Sequence, residues 1–588
     1  MILVFGGTTE GRKAVEVLEE AGTPYYYSTK TGEQNIALHH GVRTDGAMDK
    51  RVMQAFCQGH QIRLVVDAAH PFASQLHQTI ADVAEFLDIP VIRYERIYPP
   101  RDPEITWIDD YSQVPRNIHS LLATTGVQSI SRLKPLEAEG VKIYYRILPR
   151  ESSVQLAHAQ GATDHQLCYY EEGNAIPVEA EAILLKESGL SGGFVEKVNA
   201  AKAKGMRILV LKRPEMPYGS GDVPRKNGET AVCNGPYGLR RAVEKLLPDF
   251  YPLHSGLTTG TCATAAAIAA MKQLFHGEAP AEVPVVLPNG ETIMVAVGYG
   301  DGYAYCIKES GDDPDVTNGV EVRASVEKSD AFKILGGEGV GTFSLPGFDY
   351  PPGEPAINKG PRQMMRDNIR EQVSITVSVP QGAAIASKTF NPRLGIEGGI
   401  SIIGVSGIVK PFSEAAFINS IRKCMEVAKA SGTDRVVINS GAKSERFVKA
   451  CYPALPQQAF VEYGNYIGET LKMADELGFE NVTLGVMLGK AVKLAEGHLD
   501  THSKKAVMNK EFVRQMLDEA GVSIDLSPVT LARELWEKIP QEQLPDFAAT
   551  IISHCARHCR PLLPHGLLTI LLIDDNGHIY SNPQTQDN

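Results

Sequence analysis

The sequence contains no run of about eighteen apolar residues, so nothing in it reads as a membrane-spanning helix. Its basic residues form no stripe, and with a net charge of −12 it is a poor partner for nucleic acid. Local arginines can still hold a small anion whatever the global charge. The basic region of a secretory leader is also missing: Met1-Ile2-Leu3-Val4-Phe5 runs straight into glycines and reads as a buried strand. Nine scattered cysteines are too few and odd in number for a disulfide framework, and suit the reduced thiols of a cytoplasm. A chain of 588 residues is too long for one core, and about two to four domains are expected.

Near residue 255 the chain starts over. The first half opens on Gly6-Gly7-Thr8-Thr9-Glu10-Gly11, followed by a stretch with Ala14, Val15 and Leu18 on one face. This is a strand, a glycine turn and a helix. Gly6-x-Thr8-x-x-Gly11 is the dinucleotide fingerprint with threonine at the middle glycine. Gly6, Gly7, Thr8, Thr9 and Gly11 are therefore candidates for a pyrophosphate at a helix N-terminus. The second strand ends in Ser28-Thr29-Lys30-Thr31. Hydroxyls and a lysine there suit a 2′-phosphate better than a bare ribose, which favours NADPH over NADH. A third strand leads into Asp67-Ala68-Ala69-His70-Pro71-Phe72-Ala73, placing His70 and Pro71 at the crevice. A second α/β series, with strands near 142–147, 182–186 and 207–212, includes Lys186-Glu187-Ser188-Gly189. Two α/β lobes with a cleft between them are expected.

These motifs, with Arg146-Ile147-Leu148-Pro149 and Lys212-Arg213-Pro214, resemble the precorrin-6A reductases over residues 1–215. The resemblance implies two Rossmann-like lobes, about 1–100 and 101–215. It also implies NAD(P)H-dependent reduction of one double bond in a corrin-ring precursor. His70 would orient the nicotinamide or relay a proton, and Lys186 and Ser188 would face the substrate. Residues 216–252 read as an elaboration and a linker helix.

The second half opens on Gly256-Leu257-Thr258-Thr259-Gly260-Thr261-Cys262 and a helix of small residues. Asn289-Gly290 between apolar runs marks a hairpin. Glu309-Ser310-Gly311-Asp312-Asp313-Pro314-Asp315 lacks calcium-loop spacing and a nearby histidine, so a carboxylate base is favoured over a metal. His554-Cys555-Ala556-Arg557-His558-Cys559 reads as a partly buried helix rather than a zinc site. Irregular loops carry Arg362, Asn391 and Arg393, and Gly441 and His502 follow further on. No methyltransferase fingerprint follows a strand.

The glycine–threonine opening, the aspartate loop, Gly336-Gly337-Glu338-Gly339-Val340-Gly341, Ala356-Ile357-Asn358, the run 389–404 and Thr501-His502-Ser503 resemble the cobalt-precorrin-5B C1-methyltransferases. That resemblance covers residues 253–588 and implies a mixed α/β, two-lobed enzyme using S-adenosylmethionine. Asp312, Asp313 or Asp315 would be the base, with His502 in reserve. Gly441 would touch the cofactor. Thr258, Thr259 and Asn391 would face the substrate, and Arg362 and Arg393 would grip its carboxylates. Cobalt belongs to the substrate, and no protein metal site is expected.

The sequence thus reads as a bifunctional corrin-ring enzyme of α/β and α+β class, expected in the cytoplasm. A homo-oligomer is left open. The alternatives are a non-catalytic sensor of a dinucleotide and a tetrapyrrole, or an NADPH reductase fused to an unrelated transferase.

Overall fold

The computed structural model describes residues 1–30, 32, 34–171, 173–218, 230–502 and 507–581. Thr31, Ser503 and the run 219–229 of the expected elaboration lie outside the described residues. The chain divides into two compact units: Met1–Ser255 with Pro284–Met294, and Gly256–Val283 with Val295–Asn588. No helix among the described residues is long and apolar enough to cross a membrane.

The first unit contains two six-stranded parallel sheets, each Rossmann-like. The first runs Thr230–Asn234, Val91–Glu95, Leu64–Asp67, Ile2–Phe5, Tyr25–Thr29, Gly41–Asp45. Its central strand is apolar throughout because both faces are covered. Ile2 and Val4 join one core with Ala14, Leu18 and Leu239, while Leu3 and Phe5 join the other with Met53 and Ile80. The period-two alternation of the strand makes that division. Each such side chain, fully withdrawn from water, contributes about 1.5–3 kcal/mol. The second sheet runs Thr106–Ile108, Arg207–Leu211, Ala182–Lys186, Ser120–Ala123, Lys142–Ile147, Leu167–Tyr169.

The segment expected as elaboration and linker is not one. Its strand Thr230–Asn234 pairs in parallel with Val91–Glu95, and the helix Gly235–Leu246 packs on the helix Thr9–Glu19. The return to the first sheet covers an edge strand that would otherwise present unpaired backbone groups. The hairpin tip 284–294 also belongs to this unit. There the carboxylate of Glu291 accepts from the amides of Tyr237 (2.8 Å) and Gly238 (3.1 Å) at the start of Gly235–Leu246.

In the second unit the helix Thr259–His276 is buried from Thr259 to Met271. Its small residues permit close approach: a Cβ on Gly260 would lie 2.7 Å from Pro361 Cγ and 3.0 Å from Ile403 O. It packs on a five-stranded, mostly antiparallel sheet built around Tyr303–Ile307, Glu321–Lys328 and Val373–Ser378. A further sheet runs Phe460–Glu462, Arg435–Asn439, Asn481–Met487, Leu567–Ile573, Ile579–Ser581, with only the last strand antiparallel.

Candidate active sites

In open α/β sheets, ligands bind at the carboxyl ends of the strands where the winding reverses. In the first sheet the chain moves outward from Ile2–Phe5 through Tyr25–Thr29 and Gly41–Asp45. It then returns to Leu64–Asp67 on the other side. The crevice is thus formed by Gly6-Gly7-Thr8 and Ala68-Ala69-His70. Thr8 ties its two sides together: its hydroxyl donates to Ala68 O (2.8 Å) and accepts from Gly11 N (3.1 Å) as the helix cap. Gly7 has φ +87°, and a Cβ there would meet nothing within 4 Å. Gly6 is glycine for a different reason, since a Cβ would lie 2.2 Å from the hydroxyl of Tyr27. That hydroxyl accepts from Gly7 N at 3.0 Å. Thr9 and Glu10 begin the helix whose N-terminus points at this opening. The open space over Gly7 and the helix start fit a pyrophosphate.

Beneath the His70 loop lies a buried charge network. Asp67 accepts from His77 Nδ1 (2.6 Å), the hydroxyl of Tyr218 (2.7 Å), Arg93 Nη1 (3.1 Å) and Ala69 N (3.1 Å). Burial opposes its charge, but His77 and Arg93 outweigh that and hold its carboxyl below the usual range. His77 Nε2 donates to His70 O (3.0 Å), fixing the loop. His70 itself accepts from Phe72 N at Nδ1 (3.2 Å), which leaves Nε2 as its donor. Burial, then Arg96 and Lys186, pushes its pKa down to about 3. The ring is therefore held neutral, with Nε2–H as its donor. Pro71 lies buried beside it.

At the ribose end, Ser28 is buried and Lys30 is exposed. Sequence reasoning missed Asp45, which ends the neighbouring strand and takes the Thr29 hydroxyl (2.6 Å) and Arg43 Nε (3.0 Å). Its signal was hidden because parallel pairing, not sequence distance, sets Thr29 opposite Asp45. In the second lobe Lys186 sits half-buried with Nζ 4.8 Å from the centre of the Phe72 ring. Ser188 is buried, and its hydroxyl donates to Gly192 O (3.2 Å). Glu187 is held by Arg101 and Arg213.

The second unit repeats the switch-point logic. The chain goes from Arg435–Asn439 out to Phe460–Glu462 and back to Asn481–Met487. The crevice is lined by Ser440-Gly441, Glu462-Tyr463-Gly464 and Lys490. Gly441 has φ +141° and starts the helix Ala442–Cys451. Glu462 lies twenty-one positions further on, at the end of the next strand, where a dinucleotide fold places its ribose-binding acid. Burial pushes the Glu462 carboxyl up, while Arg393 and Lys490 pull it down. Lys490, with Nζ bonded to Gly464 O, is lowered by burial to about 8. Glu462 was missed because no glycine-rich pattern precedes it. The available signal was a strand, a glycine turn, a helix and a strand ending in an acid.

Several expected substrate residues have partners within the fold. Thr258 caps the buried helix, and Thr259 exchanges bonds with Ile403 O (3.2 Å) and N (2.9 Å). Arg362 is held by Ile357 O (2.8 Å), Glu354 (3.1 Å) and the face of Tyr350. Asn391 is buried between Gly399 O and Ser401. Arg362, expected in an irregular loop, lies instead in the helix Lys359–Asn368, and Thr258 and Thr259 start a helix; in each case buried polar groups are satisfied internally. Arg393 differs. It pairs with Glu445 (2.7 Å), on the helix that follows Gly441, and so belongs to the crevice. In the aspartate loop, Asp315 pairs with the buried Lys308 (2.6 Å) and accepts from Thr317 N and Oγ1 (2.8 and 2.6 Å). Burial is outweighed by Lys308, and the carboxyl stays below its usual range, which makes Asp315 a poor base. Asp313 accepts from Phe412 N (3.0 Å), and Asp312 is exposed. His502, partly buried, bonds through its amide to Asp500 (3.1 Å) beside the crevice strands. In the 554–559 stretch, His554 bonds Glu519 (2.6 Å) and Cys555 donates to Ala491 O (3.3 Å).

The first unit is a pair of Rossmann-like α/β lobes, and the second carries a mostly parallel sheet with a switch point of its own. A family model described as precorrin-6x reductase CbiJ/CobK matches residues 1–231, and one described as CbiD matches residues 249–411. The chain belongs to the cobalt-precorrin-5B C(1)-methyltransferase family, with a precorrin-6x reductase module preceding it. The enzyme of that name from Prosthecochloris aestuarii is 40% identical over 345 residues, covering 55% of this chain and 94% of the relative. The crystal structure of cobalamin biosynthesis protein (cbiD) from Archaeoglobus fulgidus is 29% identical, covers 44% of this chain and 85% of its own, and has a TM-score of 0.26. A CobK precorrin-6A reductase structure is 16% identical, covers 42% of this chain and 96% of its own, and has a TM-score of 0.33.

Proposed function

We propose that this chain carries out two consecutive steps of corrin-ring construction. The second unit methylates C1 of cobalt-precorrin-5B, and the first unit reduces the resulting cobalt-precorrin-6A to cobalt-precorrin-6B. What carries the reading is the pairing, on one chain, of a methyltransferase family with the reductase family that takes its product. When bound, S-adenosylmethionine supplies a methyl group and NADPH a hydride.

Gly441 and Glu462 would hold the adenosine of the first cofactor, the carboxylate accepting from ribose hydroxyls. Gly7, Thr9 and the helix Thr9–Glu19 would hold the pyrophosphate of the second, with Lys30 at its 2′-phosphate. His70, through its Nε2–H, would orient the nicotinamide amide as a neutral donor. Lys186 would face the tetrapyrrole. Asp313 or Asp312 would accept the proton lost from the ring as C1 becomes nucleophilic. Arg393 sits beside Glu462, so its role moves from gripping substrate carboxylates to holding the charge of Glu445 at the crevice.

The test is direct. The chain is incubated with cobalt-precorrin-5B, S-adenosylmethionine and NADPH, and the tetrapyrrole mass should rise by about 14 and then about 2 units. A chain that binds both nucleotides but changes no mass is the sensor of the alternative reading. Turnover of simple enones without turnover of the tetrapyrrole points to a general reductase.

A further inference from the structure

Four arginines are buried among the described residues: Arg93, Arg96, Arg146 and Arg240. Three have carboxylate partners. Arg93 pairs with Asp67 and Glu95, Arg96 with Glu10, and Arg240 with Glu20 and Glu244. Arg146 has none among the described residues. It is 7% exposed, its Nη1 and Nη2 donate to Ala175 O (3.1 Å) and Asn174 O (2.8 Å), and its guanidinium lies 4.8 Å from the centre of the Tyr170 ring. Among the described residues its Nε is buried with no hydrogen-bond partner.

Most of the charge around it is of the same sign, with Glu196 acting on Lys197 in the opposite sense. Lys197, whose Nζ donates to Gly192 O (3.0 Å), is half-buried within electrostatic reach of Arg146 and Arg96, and burial with those two charges lowers its pKa. Lys186 is half-buried as well, lowered by burial and by Arg132. An unpaired buried cation is costly, and two carbonyls offset only part of that cost. Arg146 is the penultimate residue of the strand Lys142–Ile147, which pairs with Ser120–Ala123 beside the switch point of the second sheet, near the carboxyl edge where ligands bind.

We infer that Arg146, with Lys197 beside it, forms an anion subsite of the second lobe that takes a carboxylate side chain of the tetrapyrrole. The inference rests on the reductase reading for the identity of the ligand. A planar guanidinium with Nε unoccupied presents donors of the geometry a carboxylate accepts. The cofactor phosphates are served by the other lobe, so the second lobe is where a polycarboxylate has to be held. The counter-charge missing among the described residues is then the substrate's own.

The test uses the full chain with Trp536→Phe, which leaves Trp107, in the same lobe as Arg146, as sole tryptophan. An octacarboxylate porphyrin is titrated by fluorescence quenching, with circular dichroism and NADPH binding as controls of folding. Arg146→Gln should weaken porphyrin binding by about tenfold or more, with Arg146→Lys between the two. The octamethyl ester should bind no variant better than another. Unliganded Arg146→Met should melt no lower than the parent, yet lose the rise in melting temperature that the porphyrin gives the parent.

Porphyrin affinity in Arg146→Gln within about twofold of the parent overturns the inference. So does binding of the octamethyl ester to the parent as tightly as the octa-acid, and so does full displacement by millimolar phosphate, which would make the subsite a general anion hole. If Arg146→Gln fails to fold, Lys197→Gln, at a half-exposed position, takes its place: weakened porphyrin binding supports the subsite, and unchanged binding overturns it. Arg146-dependent porphyrin binding in a chain that does not reduce cobalt-precorrin-6A keeps the subsite and removes the reductase reading. Reduction with an unaltered Michaelis constant in Arg146→Gln does the reverse.

Discussion

Glu462 faces Gly441: a Cβ on Gly441 would lie 3.2 Å from Glu462 Oε1. The two residues meet between the first strands of the last sheet, and φ +141° at Gly441 is what favours glycine there. Glu462→Gln keeps the size and removes the charge. It should weaken S-adenosylmethionine by about 1.5–3 kcal/mol, the range for hydrogen bonds to a charged group, and leave NADPH unaffected. Isothermal titration of each nucleotide decides it, and unchanged S-adenosylmethionine affinity places the adenosine elsewhere.

Lys490 predicts a pH dependence of stability. Burial holds its pKa at about 8, below its ordinary 10.5. Between those values the unfolded chain binds more protons than the folded one, so stability rises with pH from about 8 to about 10 and then levels off. The charged form is the penalised one, and the penalty is complete below about 8. Urea unfolding followed through Trp536, in the same unit, should show this slope, and Lys490→Met should flatten it. An identical slope in the variant means the group responsible is another.

The aspartates should separate by role. Asp315→Asn leaves the buried Lys308 without its partner and should cost about 2–4 kcal/mol of stability, the lower part of the buried-pair range because Asp315 is itself a quarter exposed. Asp313→Asn or Asp312→Asn should keep stability and lose about 10²–10⁴ in methyl-transfer rate. Near-normal turnover in both moves the base out of this loop, with His502 the next candidate.

His70, neutral down to about pH 3, should contribute no break to the reductase pH profile between about pH 5 and 9. His70→Phe should lower kcat/KM for NADPH by about tenfold through the lost hydrogen bond. A profile limb near neutrality that disappears in His70→Gln would show a titrating acid instead.

Lys30→Ala should weaken NADPH by about 1–3 kcal/mol and leave NADH nearly unchanged. Direct binding of both nucleotides checks this. Equal losses would assign the 2′-phosphate to another group, and Arg43 would be tested next.

Local chemistry was enough for the glycine turns, the apolar central strands and the Asn289-Gly290 hairpin, because each depends on a few consecutive residues. The two-enzyme organisation was legible for the same reason: long, distinctive motif runs are contiguous in sequence. The expected linker could not be read that way. Whether Thr230–Asn234 is a loose strand or the edge of a sheet begun at Ile2 depends on pairing with Val91–Glu95, across more than a hundred residues.

The sites divide along the same line. The sequence by itself determined where glycine had to be and which residue types were available for chemistry. It did not determine which polar groups were already spoken for. Thr258, Thr259, Arg362, Asn391 and Ser188 carry suitable side chains, and only the fold shows that each also satisfies carbonyls, amides or carboxylates of the chain itself. Glu462, Asp45 and Arg146 look ordinary in the chain. They gain meaning only when parallel strands bring their carboxyl ends together, because electrostatics and hydrogen bonding act over a few ångströms of space rather than along the sequence.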